Sequence, residues 1–134
     1  MKSGEVCIIT GASKGLGADI AEKLLAQGVE VATFSRNRCN QVQAFTELYR
    51  DSFYWGVRRP REFGRTQEGF VNRVVEKFGR LDGLVNNAAA YLQKPFIDCT
   101  LENIQWLIQV NAQFPFTSLS SAQAKWPRRP RASS

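Results

Sequence analysis

The feature that most restricts what this chain can fold into is Thr10-Gly11-Ala12-Ser13-Lys14-Gly15-Leu16-Gly17, a glycine-rich turn between two apolar segments of different period. Before it, Val6-Cys7-Ile8-Ile9 is an unbroken apolar run, the pattern of a parallel strand buried on both faces. After it, Ile20, Ala21, Leu24 and Leu25 recur at helical spacing, with Asp19, Glu22 and Lys23 on the opposite face, until Gly28 stops the helix. A strand that passes through glycines into a helix N-terminus makes an anion site, because unpaired backbone N–H groups and the helix dipole converge there. A nucleotide pyrophosphate is the usual guest. The same glycines could close an ordinary βα unit, but a second strand over Glu30 to Phe34 follows at βαβ distance, the context the nucleotide reading needs. A phosphate-loop NTPase is disfavoured, since no Gly-Lys-Ser/Thr triplet follows the turn.

The end of the second strand sharpens the ligand. In dinucleotide folds a carboxylate about 20 residues after the glycines grips the ribose 2′-hydroxyl of NAD. Here Ser35 and Arg36 occupy that place, and Lys14 lies inside the glycine turn on the same side. Two cations where an acid would repel a phosphate favour NADP(H) over NAD(H). The competing reading is that both are solvated surface charges.

Farther along, Leu81-Asp82-Gly83-Leu84-Val85 leads into Asn86-Asn87-Ala88-Ala89. Taken with Thr10-Gly-x-x-x-Gly15-x-Gly17, these residues resemble the N-terminal part of a short-chain dehydrogenase/reductase, in the spacing of the family's compact members. The match runs from about Val6 to about Phe116. The resemblance implies cofactor contact at Gly11, Ser13, Lys14, Gly15, Leu16 and Gly17, at Ser35 and Arg36, and at Asn86 and Ala88. It also implies that Asn86 ties neighbouring strands together. In Val110-Asn111-Ala112-Gln113-Phe114-Pro115-Phe116, it gives Asn111 a catalytic part, holding a water in a proton relay; the alternative is an Asn satisfied by backbone carbonyls. The implied activity is hydride transfer between NADP(H) and a small carbonyl or alcohol, closest in flavour to a β-ketoacyl carrier-protein reductase. Members of the family are expected to form homo-oligomers.

The remaining chain fits an α/β, Rossmann-like doubly wound parallel sheet, incomplete, with strand order 3-2-1-4 and helices on both faces. Val42, Phe45 and Leu48 place a helix over Gln41 to Tyr49, and Phe53 to Val57 is aromatic and β-branched enough for the third strand. Phe70, Val71, Val74, Val75 and Phe78 form a helical stripe that Gly79 ends, and Leu81 to Val85 is the fourth strand. After a loop over Tyr91 to Asp98, Thr100 is the N-cap of a helix carrying Leu101, Ile104, Leu107 and Ile108. Pro115 is expected to bend it, having no N–H to give. The fourth strand should be an open edge and the last helix should expose an apolar face, so association or aggregation is expected.

Composition closes off other classes. At 134 residues with 43% hydrophobic content the chain makes one domain with a real core, and no apolar run approaches the ~20 residues of a membrane span. The N-terminus enters a strand without a leader pattern, so the expected location is the cytoplasm. Three scattered cysteines and no histidine leave metal binding, disulfides and His-activated nucleophiles as poor readings. Of the net charge of +6, Arg58, Arg59, Arg61, Glu62 and Arg65 contribute +3 and Lys125, Arg128, Arg129 and Arg131 contribute +4, leaving −1 elsewhere. Basicity confined to two Pro-bearing segments without interleaved aromatics is no nucleic-acid surface.

Those segments also bound the resemblance. The expected adenine-contacting Asp after the third strand is replaced by Arg58-Arg59-Pro60-Arg61-Glu62-Phe63-Gly64-Arg65, and the pattern stops again at Lys125. Residues 1–120 read as an NAD(P)-binding Rossmann half-domain, with 58–65 atypical, and 121–134 as a basic tail expected to be disordered. Reading-frame shifts, a truncated copy, or a genuine insertion and tail all produce such composition. The family chemistry needs a carbonyl-binding Ser and a Tyr-x-x-x-Lys pair, yet Tyr49, Tyr54 and Tyr91 are followed four residues on by Phe53, Arg58 and Pro95. The expectations therefore span three classes: an NADP(H)-dependent reductase, a non-catalytic nucleotide-binding half-domain, and a nonfunctional fragment.

Overall fold

The computed structural model describes residues 1–35, 38–57 and 63–127, with backbone alone for 63–66. Four parallel strands, β1 (Val6–Ile9), β2 (Glu30–Ser35), β3 (Phe53–Val57) and β4 (Gly83–Val85), form one sheet in the order β3-β2-β1-β4. Cys7 is in register with Val31 on one side and with Gly83 on the other. This is the strand order expected from the sequence.

Helices α1 (Gly15–Ala26), α2 (Asn40–Leu48) and α3 (Phe63–Phe78) make the crossovers, and α4 (Leu101–Ile108) and α5 (Phe114–Gln123) follow β4. Between β1, β2 and β3 the chain advances in one direction across the sheet. From β3 it returns past β1, and crossovers of a single hand then place the later helices on the opposite face. The core divides accordingly. Cys7 and Ile9 point to one layer with Ala21, Leu25, Val42 and Phe45 of α1 and α2, while Val6 and Ile8 point to the other with Phe70, Val71 and Val74 of α3 and Phe114 and Ala122 of α5. Every residue of β1 is buried, as a strand covered on both faces requires. In the second layer the Phe34 ring lies 4.7 Å from Phe70 and 5.6 Å from Phe114, and Tyr54 stacks on Phe70 at 5.7 Å.

Three details depart from the sequence reading. Leu48 is 75% exposed instead of sharing the stripe of Val42 and Phe45. Successive steps of three residues each lag a full turn by about 60°, so two steps carry Leu48 far around the helix. The fourth strand begins at Gly83, not Leu81. Asp82 replaces the first ladder bond: its carboxylate accepts the Val6 N–H at 2.9 Å and takes both Nε (2.7 Å) and a terminal nitrogen (2.6 Å) of Arg80. Those donors hold the Asp82 carboxyl below the usual range, the Arg80 hydrogen bond most strongly, against the opposing effect of burial. Finally, α5 runs through residue 120 to Gln123, Ala122 is fully buried, and Trp126 packs on the α3–α5 layer. Residues 128–134 of the expected tail, and 58–62 of the atypical segment, lie outside the described residues.

Thr100 caps α4 as expected: its hydroxyl accepts the Asn103 N–H at 3.2 Å while the Asn103 side chain accepts the Thr100 N–H at 3.1 Å. The break at Pro115 takes the form of a π-helical turn over Gln109–Gln113 that joins α4 to α5. A proline cannot donate to the carbonyl four residues back, and a wider turn absorbs that missing bond. No residue of α4 is buried; Leu101, Ile108 and, on α5, Phe116 are 68%, 59% and 74% exposed. β4 pairs with β1 alone among the described strands. The open edge and exposed apolar face read from the sequence are both there.

Candidate functional site

A cleft of about 580 Å³ opens at the C-terminal ends of β1 and β4, lined on one wall by Thr10, Gly11, Ser13, Lys14, Gly15 and Leu16 and on the other by Asn87, Ala88, Ala89 and Tyr91. Phe34, Ser35 and Phe114 complete it. The position follows from topology. Strands leave β1 in opposite directions there, so the two loops diverge and leave a crevice between them.

The glycine wall is shaped by sterics. Gly11 has a φ of +73°, and a Cβ on it would stand 3.0 Å from the Ala88 backbone. On Gly17 a Cβ would be placed 2.4 Å from both the Asn87 side-chain nitrogen and the Gly11 carbonyl oxygen. Here the first turn of α1 presses directly on the opposite wall, an approach only glycine permits. Lys14, the N-cap of α1, is extended and makes no side-chain cap, and no acidic residue stands in the first turn. The leading N–H groups of α1 thus receive no cap from the Lys14 side chain, whose ammonium is exposed beside them.

Asparagines build the opposite wall. The Asn87 amide donates to the carbonyls of Thr10 (3.1 Å) and Gly11 (3.2 Å). The buried Thr10 hydroxyl accepts the N–H groups of Asn87 and Ala88, each at 3.0 Å. Asn87, not Asn86, therefore ties the ends of β1 and β4. Alternation along an extended chain turns the Asn86 side chain the other way, where it donates to the Pro115 carbonyl at 3.3 Å, and it is not among the residues that line the cleft. Asn111, on the π turn, closes a two-bond ring with Ala90: its Oδ1 accepts the Ala90 N–H at 2.8 Å and its Nδ2 donates to the Ala90 carbonyl at 2.7 Å. The site loop is thereby fastened to the end of β1, α5 and the π turn by the side-chain amides of Asn87, Asn86 and Asn111.

Of the residues singled out in the sequence, Gly11, Ser13, Lys14, Gly15, Leu16, Ser35 and Ala88 line the cleft. Gly17 supports it from below through its approach to Asn87. Arg36 lies outside the described residues. Thr10 and Asn87 join the site beyond the residues singled out in the sequence; a hydroxyl residue directly after a buried strand and a doubled Asn after its neighbour mark the two ends that must be joined. At the β2 end the Trp55 indole N–H donates to Ser35 Oγ at 2.9 Å, and Cys39 donates its thiol proton to the Ser13 carbonyl at 3.2 Å.

No group of His, Cys, Asp and Glu among the described residues could hold a metal ion, and no helix there is long and apolar enough to cross a membrane.

Residues 5–132 match the family model for short chain dehydrogenases. The agropine synthesis reductase of Rhizobium rhizogenes is 34% identical over 85% of this chain and 27% of its own length. A short-chain dehydrogenase/reductase of Armillaria gallica is 32% identical over 87% of this chain and 46% of its own. Among solved structures, a short chain dehydrogenase from Burkholderia cenocepacia in complex with NADP superposes with a TM-score of 0.83 at 28% identity, covering 94% of this chain and 52% of that one. The chain spans about half the length of such relatives, or less.

Proposed function

The chain belongs to the short-chain dehydrogenase/reductase family, and on that premise we propose that it binds NADP(H) as the dinucleotide-binding portion of an oxidoreductase acting on a small carbonyl or alcohol. The observation that carries this reading is the N-terminus of α1, where the N-cap Lys14 makes no side-chain cap, beside an opposite wall so close that a Cβ on Gly11 or Gly17 would collide with it. Such a cradle fits a pyrophosphate: backbone donors and a cation meet two negative charges with no side chain between them. The Burkholderia relative, crystallised with NADP, supports the same ligand.

In this arrangement Gly15 leaves the backbone open to the pyrophosphate, Gly11 and Gly17 let the first turn of α1 lie close to the opposite wall, and Lys14 neutralises the ligand. Ser35 and Arg36 take the 2′-phosphate in place of the acid that NAD would require. Ala88 and Ala89 offer a flat, small-residue wall for the nicotinamide half. Once bound, the dinucleotide supplies the hydride donor or acceptor. Asn111 acts by holding Ala90, and so the wall, in position. The water-holding role expected from resemblance would fall on the same residue, with its amide already engaged.

No Tyr-x-x-x-Lys occurs in the sequence, which favours a second reading: a nucleotide-binding unit without turnover of its own. The exposed apolar face of α4 and α5 supports association with further chain, whether a second copy or another segment. Titrating the full chain with NADPH, followed by nicotinamide fluorescence, and then assaying NADPH oxidation with small ketones and β-ketoacyl thioesters tests both readings. Binding with turnover supports the reductase. Binding without turnover supports the second reading, and absence of binding refutes the site.

A further inference from the structure

We propose that Trp55 is a positioning residue for cofactor specificity: it sets Ser35 and Arg38 together as one preformed site for the phosphate on the ribose 2′ position. The proposal rests on the dinucleotide reading above. Trp55 stands on β3, in register with Thr33 of β2, two residues short of Ser35. One edge of its indole fixes the end of β2, because Nε1–H donates to Ser35 Oγ at 2.9 Å. The face of the same ring carries the Arg38 guanidinium, whose central carbon lies 5.5 Å from the ring centre. A single half-buried side chain, packed on the layer that holds Phe45 and Phe53, thus contacts both groups.

Their chemistry points to a dianion. Ser35 lines the cleft on the side where β2 ends, which is where the ribose lies when a pyrophosphate sits on the N-terminus of α1. A guanidinium has donors and no acceptor, so it can pair with a phosphate but gives nothing to a ribose hydroxyl that seeks an acceptor. No Asp or Glu occurs between Val31 and Arg38 to take that hydroxyl. An exposed arginine ordinarily loses much side-chain freedom when it captures an anion. Stacking on Trp55 restricts Arg38 in advance, and the hydrogen bond to the indole does the same for the hydroxyl. Removing Trp55 should therefore weaken the phosphorylated cofactor selectively.

The test is a pair of titrations, NADPH and NADH, on the full chain and on Trp55→Leu, Trp55→Phe and Arg38→Gln, with circular dichroism of each variant. For the wild-type chain NADPH should bind at least about tenfold more tightly than NADH, from the charge-assisted contacts it alone makes. Trp55→Leu and Arg38→Gln should each lower NADPH affinity roughly three- to tenfold and leave NADH within twofold. Trp55→Phe keeps a smaller ring face and loses the N–H, so its loss should be intermediate. If the wild-type chain prefers NADPH and both Trp55 variants keep that preference, the positioning role is overturned while the NADP(H) reading stands. Equal weakening of both cofactors, with an altered spectrum, overturns it in favour of a merely structural tryptophan. Equal wild-type affinities refute the NADP(H) preference itself, and the positioning role with it.

Discussion

Gly17 and Gly69 both lie in helices, and replacing each by alanine should move stability in opposite directions. Gly69, in α3, has nothing within 4 Å of the position a Cβ would take. Alanine there should stabilise by about 0.5–1 kcal/mol, the helix propensity difference in a clear site. At Gly17 the same methyl would lie 2.4 Å from the Gly11 carbonyl oxygen and 2.4 Å from the Asn87 side-chain nitrogen. Neither neighbour is a free side-chain end, since Asn87 holds the Thr10 and Gly11 carbonyls and the Gly11 oxygen is backbone. Overpacking costs about 1–3 kcal/mol. Loss of the two Asn87 bonds adds about 1–3 kcal/mol, and the propensity gain returns at most about 1 kcal/mol. The net expectation is a destabilisation of about 2–4 kcal/mol together with at least tenfold weaker NADPH binding, since the first turn of α1 must withdraw from its wall. Urea unfolding followed by circular dichroism, and the fluorescence titration, measure both. A Gly17→Ala chain as stable as Gly69→Ala, or binding NADPH unchanged, would refute the close-approach argument.

Three further outcomes are expected. Phe70→Ala removes a ring that meets both Phe34 and Tyr54 and is 2% exposed, and should cost about 3–5 kcal/mol in the same unfolding assay, leaving much of the population unfolded. Because Arg80 and the Val6 N–H hold the Asp82 carboxyl low, its stabilising effect is present above the ordinary carboxylate pKa and is lost as pH falls through the lowered value. Urea midpoints measured from neutral pH to below about pH 4 should thus fall more steeply for the wild-type chain than for Asp82→Asn. Burial pushes the Cys7 thiol up to about 11, with the N-terminal ammonium opposing it weakly, so alkylation in mildly alkaline buffer should spare Cys7 until the chain is unfolded; mass mapping of modified cysteines reads this directly.

Much of the architecture is legible in the sequence because two periodicities alternate without ambiguity. Val6 to Ile9 has no polar residue to present to water, and Ile20, Ala21, Leu24 and Leu25 have a clear polar face opposite. Sequence also marks the glycine turn, since few other folds need three glycines between such elements. The assignment between Asn86 and Asn87 was not readable there. Adjacent residues of one type differ only in which side of the chain they face, and the direction is set by how β4 docks on β1. Leu48 lies off the buried face for a related reason, since steps of three residues drift around the helix. Trp55 gave no functional signal at all, because an aromatic in a strand is ordinary core and only its two partners, Ser35 and Arg38, single it out.

The strand order has a consequence for the time course of folding. β1 and β2, and then β2 and β3, pair across single crossovers, whereas Thr10 meets Val85 across 75 residues of sequence. Closing so long a loop is slow to be rewarded, so the first three strands can assemble while β4 is still loose. The crevice between β1 and β4 is then the last part of the molecule to take shape, and a nucleotide seated there acts as a late clasp. Amide hydrogens of the first turn of α1, of β4 and of the start of α5 should gain exchange protection when NADPH is added, and those of β2 and β3 away from Ser35 and Trp55 much less.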